Sequence, residues 1–139
     1  MTGVTLKFHV KKSKYIFDLF LHFTYSTFII LISPNEFLTH VSSTYSSLNK
    51  QEQLMTLDIL DYLVDFSERN FIVNVSQKSF VSFLISILKM KDSPEQQMKV
   101  LGLLQKWGTK FTEEQELKNF SEIYKTLKNS GVTFPSNYQ

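Results

Sequence analysis

Asp58, Asp61 and Asp65 recur at i, i+3 and i+7 along one stretch, and Glu68 continues the row at i+10. At helical spacing these carboxylates share one face, and three such groups could grip a hard cation or serve as paired acids and bases. No histidine and no second acid-bearing stretch is spaced to complete such a site, so the row reads as a solvated helix face. His9, His22 and His40 are scattered, without the HxxxH or HxH spacing that zinc sites use. The chain has no cysteine, which excludes a disulfide framework, a thiolate metal site and a thiol nucleophile. There is no G-x-S-x-G elbow, Walker loop or G-x-G-x-x-G turn. These residues point to no enzyme, no metal and no cofactor.

A second row is basic. Lys99, Lys106 and Lys110 share a helical face, and Lys118, Lys125 and Lys128 follow on the next segment. Such a ridge could meet anionic phosphoinositide headgroups, each lysine contributing about 1 kcal/mol near a membrane surface. Keeping the chain soluble is the plainer role for the same residues. The net charge is only +2, and Arg69 is the one arginine among fifteen basic residues, so nucleic acid is not an expected partner.

The elements that would carry these rows are helical. At 139 residues, 42% hydrophobic and 20% charged, the chain has the size and composition of one globular domain. Asn35 to Leu48 predicts a Ser/Thr-rich helix with Phe37, Leu38, Val41 and Tyr45 on one side. Gln51 to Phe66 is apolar around most of its circumference, as a buried bundle helix should be. Val75 to Lys91, with Ser76 as its cap, predicts one further apolar helix; its length argues against a strand despite its Phe, Val and Ile content. Met90 to Ser93 forms a linker. Ser93, Pro94 and Gln96 carry the signature of a capping box, and Thr112 with Gln115 repeats it for a last helix. In that helix Glu113, Glu114 and Glu116 are expected in the first turn and Lys125 and Lys128 in the last. Leu117, Phe120, Tyr124 and Leu127 make its apolar stripe, and Gly131 fits a left-handed terminal cap. Trp107 falls in core register. No repeat of fixed period is visible, yet antiparallel helices with short loops suit a helical superhelix.

Residues 1–33 differ. Lys7, His9, Lys11, Lys12 and Lys14 precede an apolar run from Tyr15 to Ser33. That outline is shared by signal peptides and anchors. Asp18 and His22 are costly at bilayer depth, and Thr24 to Ile32 is too short to cross. A buried helix or strand-like segment packed on the domain, a membrane-inserting segment and a disordered tail or altered start all remain open for this stretch.

The latter half carries a family resemblance. Val100, Leu101, Leu103, Leu104, Trp107 and Phe111, then Ile123, Tyr124, Leu127, Lys128, Gly131, Val132, Phe134 and Pro135, match in register the C-terminal half of a VHS domain. The stretch is most similar to the target-of-Myb and STAM/Hrs branch. Leu57, Ile59, Leu60, Asp61 and Val64 keep the register of an earlier family helix. The resemblance implies an all-α, right-handed superhelix of about eight helices, with residues 1–33 a divergent segment, 34–135 the VHS domain and 136–139 a tail. It implies a non-enzymatic adaptor domain in endosomal or Golgi vesicular transport, cytoplasmic and peripheral on those membranes. Its partners would be ubiquitin or sorting peptides on cargo, with acidic phosphoinositides possible.

One branch of the family takes acidic dileucine signals between its sixth and last helices, where it carries a K-F-R start and an asparagine. Here Gln77, Lys78 and Ser79 stand at the start and Ser82 at the asparagine. The early helix and tryptophan with which another branch binds ubiquitin are not recognisable. The groove that the resemblance places on this sequence is lined by Lys78, Ser82, Ile85, Tyr124 and Lys128. The alternative is a membrane-associated helical protein held by its N-terminal hydrophobic segment and the lysine ridge.

Overall fold

The structure is a computed structural model that describes residues 33–136. Within them the chain forms six α-helices and two short 3-10 turns, with no strand. The segment 1–33 set apart in sequence therefore lies, except for Ser33, outside the described residues. Six helices of the expected total of about eight are seen among the described residues.

Helix α1 spans Pro34–Thr44. The Ser33 hydroxyl accepts from the Glu36 backbone N–H at 3.3 Å, and Pro34 fills the first helical position. Phe37, Leu38 and Val41 are buried, and a 3-10 turn, Tyr45–Ser47, adds Tyr45. The helix stops short of the expected Leu48. The hydroxyls of Ser42, Ser43, Thr44 and Ser47 all donate to carbonyls three or four residues back, a competing local pattern that favours tightening and termination.

Helix α2 spans Lys50–Phe66. Asn49 and Glu52 cap it reciprocally at 2.9 and 3.0 Å, a box not foreseen from sequence. The helix expected from Val75 to Lys91 is α4 (Lys78–Leu88), shorter at both ends, and a short helix not expected from sequence, α3 (Arg69–Val75), precedes it. Ser76 does not cap α4. Its hydroxyl turns back to the Val73 carbonyl at 2.7 Å, and extended Gln77 breaks the helical path. Asp92, at φ 56°, turns the chain towards α5.

Helix α5 spans Pro94–Lys110 and is the hub, packing on α2, α4 and α6. Its expected capping box does not form. The Ser93 hydroxyl donates to the Lys91 carbonyl, and Gln96 is buried, donating to Gln53 Oε1 at 2.9 Å. The Gln53 amide in turn donates to the Tyr45 carbonyl. An internal partner thus outcompetes the cap.

The last helix, α6 (Lys118–Asn129), starts later than its sequence signature, after a 3-10 turn at Gln115–Leu117. Thr112 donates back to the Gly108 and Thr109 carbonyls rather than capping. Glu114 and Glu116 leave the helix start and bind Arg69 on α3, and of the two expected lysines Lys128 lies in the last turn. The C-terminal cap is as expected: Gly131 sits at φ 90°, with Val132 N–H bonded to the Leu127 carbonyl and Gly131 N–H to the Lys128 carbonyl. That pair of bonds is a Schellman motif. Trp107 is fully buried, its ring 5.2 Å from that of Phe120, which also stacks near Phe111.

Candidate functional site

The two charged rows meet each other. Lys99 binds Asp58, Lys106 binds both Asp61 and Asp65 at 2.8 and 2.9 Å, and Lys110 reaches Asp65 at 3.4 Å. The carboxylate face of α2 is therefore not a solvated face but one side of an ion-pair ladder to α5. Among the described residues no cluster of His, Cys, Asp or Glu could hold a metal ion. Burial alone would lower the pKa of Lys106, but its hydrogen bonds to Asp61 and Asp65 outweigh that and raise it. A lipid headgroup reaching Lys99, Lys106 or Lys110 would have to displace an internal carboxylate.

A groove runs between α4 and α6, with a volume of about 450 Å³. On α4 and its C-cap residue, Lys89, the wall is Lys78, Val81, Ser82, Ile85, Ser86 and Lys89, a continuous stripe at i, i+3, i+4, i+7, i+8 and i+11. On α6 it is Asn119, Glu122, Ile123 and Thr126, at i, i+3, i+4 and i+7. Both stripes follow from helical periodicity: residues at these steps stand on one face.

Side-chain amides fix the walls. Asn119 Nδ2 donates to the Ser76 carbonyl at 2.8 Å, tying the start of α6 to the α3–α4 corner. Arg69 holds Glu114 and Glu116 in the approach to α6. At the far end, Gln97 Nε2 donates to the carbonyls of Leu88 and Met90, where α4 leaves its last turn. Val81 is buried at the base, while Ile85 and Ile123 are half-buried. Among the described residues no ion pair within 4 Å engages Lys78, Lys89 or Glu122, and all three are exposed. This arrangement offers an apolar floor, free ammonium groups at both ends of one wall, and hydroxyl, amide and carboxylate groups between them. It can hold an extended segment of another chain; it has no nucleophile–base pair for covalent chemistry.

Of the five groove residues inferred from sequence, Lys78, Ser82 and Ile85 line this groove. Tyr124 and Lys128 do not. Tyr124 packs against Gly108 on α5 and lies 5.0 Å, edge to face, from Phe134, and Lys128 sits over the Tyr124 ring. They occupy the α6 face turned towards α5 and the chain's return, not the face turned towards α4. The residues that take their place are Asn119, Glu122, Ile123 and Thr126. The same helical count that marked the Leu117–Leu127 stripe places these on the adjoining face.

Comparison with known proteins fits this architecture. The family model of the VHS domain matches residues 31–131. The chain belongs to the VHS family. VHS domains are helical superhelices, and the all-helical stack described above is that kind of fold. The VHS chain is 27% identical over 108 residues to vacuolar protein sorting-associated protein 27 of Neurospora crassa, covering 75% of this chain and 15% of the relative. It is 33% identical over 89 residues to the protein of that name in Yarrowia lipolytica, covering 63% and 16% respectively. It is also 33% identical over 90 residues to TOM1-like protein 2 of Homo sapiens, covering 63% and 18%. This VHS chain thus aligns with under a fifth of the length of these relatives. No solved structure matches significantly. Among the described residues no single helix is long and apolar enough to cross a membrane.

Proposed function

We propose that this VHS domain is a non-enzymatic adaptor module in vesicular protein trafficking, and that its α4–α6 groove binds a short sorting signal on cargo. The observation that carries the reading is the groove itself: an apolar floor of Val81, Ile85 and Ile123 beside the unpaired Lys78 and Lys89. The kinship with a vacuolar protein sorting protein supports a place in transport, peripheral on endosomal or Golgi membranes. A peptide is favoured over ubiquitin as the ligand of this groove, because it is a cleft of about 450 Å³ lined by one short stripe from each of two helices. Trp107, the only tryptophan, is buried in the core and is no ubiquitin anchor. Phosphoinositide binding through Lys99, Lys106 and Lys110 finds less support, since each already faces a carboxylate.

The test is a titration of the isotopically labelled chain, followed by NMR, with an acidic dileucine peptide and separately with ubiquitin. The expected result is peptide-dependent shifts at Val81, Ser82, Ile85, Ile123 and Thr126. No shift in these resonances with millimolar peptide would refute the groove reading, and shifts there with ubiquitin alone would reassign its ligand.

A further inference from the structure

Glu122 is the one charged residue lining the α6 wall, and the charged residues lining the facing wall are both positive. Lys78 and Lys89 mark the two ends of the α4 wall, eleven residues apart and so about 16 Å along the helix. Lys118 and Lys125 lie one turn either side of Glu122 on α6, outside the groove lining, and neither comes within 4 Å of its carboxylate. The surroundings as a whole attract acidic ligands, while the α6 wall of the groove carries a carboxylate with no ion-pair partner among the described residues.

The floor adds a spacing. Val81 and Ile85 are one turn apart, about 6 Å, close to the roughly 6.6 Å between alternate side chains of an extended strand. The span between the two end lysines matches about five extended residues.

We infer that Glu122 is a specificity-determining residue of the groove, selecting an extended peptide with carboxylates at its two ends, two apolar residues at alternate positions, and a cation in the centre. The inference rests on the peptide-groove reading above. It separates this groove from one that accepts an unbroken run of acids, because a central ligand carboxylate would face Glu122 at close range while a central ammonium would pair with it. Asn119 and Thr126, flanking Glu122 on the same stripe, supply further polar contacts on that wall.

The experiment titrates the labelled full chain with two synthetic peptides that differ only at the centre, one built on Asp-Leu-Lys-Leu-Asp and one on Asp-Leu-Glu-Leu-Asp. The lysine-centred peptide should bind about fivefold more tightly, the upper range for one exposed ion pair. In Glu122→Gln the preference should collapse, chiefly through tighter binding of the glutamate-centred peptide, with an unchanged melting temperature because the side chain is exposed. Equal affinity of both peptides for the wild-type groove, or a preference that survives Glu122→Gln, would overturn the role of Glu122 and leave the groove reading standing. Absence of groove shifts with either peptide would overturn both.

Discussion

Gly108 lets α6 lie against α5 at backbone distance. A Cβ there would meet Tyr124 Cβ at 2.6 Å and the Phe120 carbonyl oxygen at 3.1 Å. Alanine is the better helix former by about 1 kcal/mol, yet overpacking at a rigid contact costs about 1–3 kcal/mol. The contact is with Tyr124 Cβ and backbone rather than a flexible side-chain end, so the steric cost should win. Gly108→Ala should therefore lower stability in urea unfolding, and a gain would contradict the packing described.

Tyr45 makes a different kind of test. Its ring is fully buried beside Phe83, centroids 5.4 Å apart, and its hydroxyl has no hydrogen-bond partner among the described residues. Burial pushes the phenol up to about 12 from its ordinary value of 10.0. The folded state then resists deprotonation more than the unfolded chain does. Stability from this group is intact below pH 10 and is lost as pH climbs from 10 towards 12. Tyr45→Phe should cost less than about 1 kcal/mol at neutral pH, since the lost hydroxyl made no bond, and should flatten the decline between pH 10 and 12 relative to wild type.

At the scale of elements, the α2–α5 ladder fixes how two long helices register. Lys106 bridges two carboxylates that would otherwise face each other. Partly buried pairs lie between the small gain of exposed ion pairs and the larger cost of breaking buried ones, so Lys106→Met should destabilise by about 1–2 kcal/mol at low salt. In 1 M salt, where screening acts within about 3 Å, the loss should shrink. Because the lysine pKa is raised by folding, its contribution is full below the ordinary lysine value and disappears as pH rises past the folded one. Chemical denaturation of wild type and variant at both salt concentrations checks this.

The ladder also marks where sequence reasoning reaches and where it stops. Each ridge was legible, because helical spacing is local. Their pairing was not, because nothing local states which helix faces which. The same limit explains the caps. Gly131 was legible since a left-handed residue at a helix end favours glycine whatever surrounds it. Ser93 with Gln96, Ser76, and Thr112 with Gln115 all carried cap signatures, yet long-range bonds such as Gln96 to Gln53, or bonds back to a nearby carbonyl, took those side chains instead. Of the residues expected along a groove, Lys78, Ser82 and Ile85 share one periodic face of α4 and line the cleft, whereas Tyr124 and Lys128 stand on the α6 face beside the one that carries Glu122 and Ile123.

For the whole molecule, the core around Trp107 and Phe120 holds α5 and α6 together, and α4 is pinned at both ends by Asn119 and Gln97. Such a frame keeps a cleft open between α4 and α6, where full closure would have buried Ile85 and Ile123. A preformed cleft lowers the ordering cost of binding, as the proposed peptide reading requires. Fluorescence anisotropy of a labelled acidic dileucine peptide against wild type and Ser82→Trp tests this most directly. Ser82 is exposed on the groove wall, so the indole should fill the cleft and leave thermal stability unchanged. The account predicts at least tenfold weaker binding by the variant; equal binding by wild type and Ser82→Trp would contradict it.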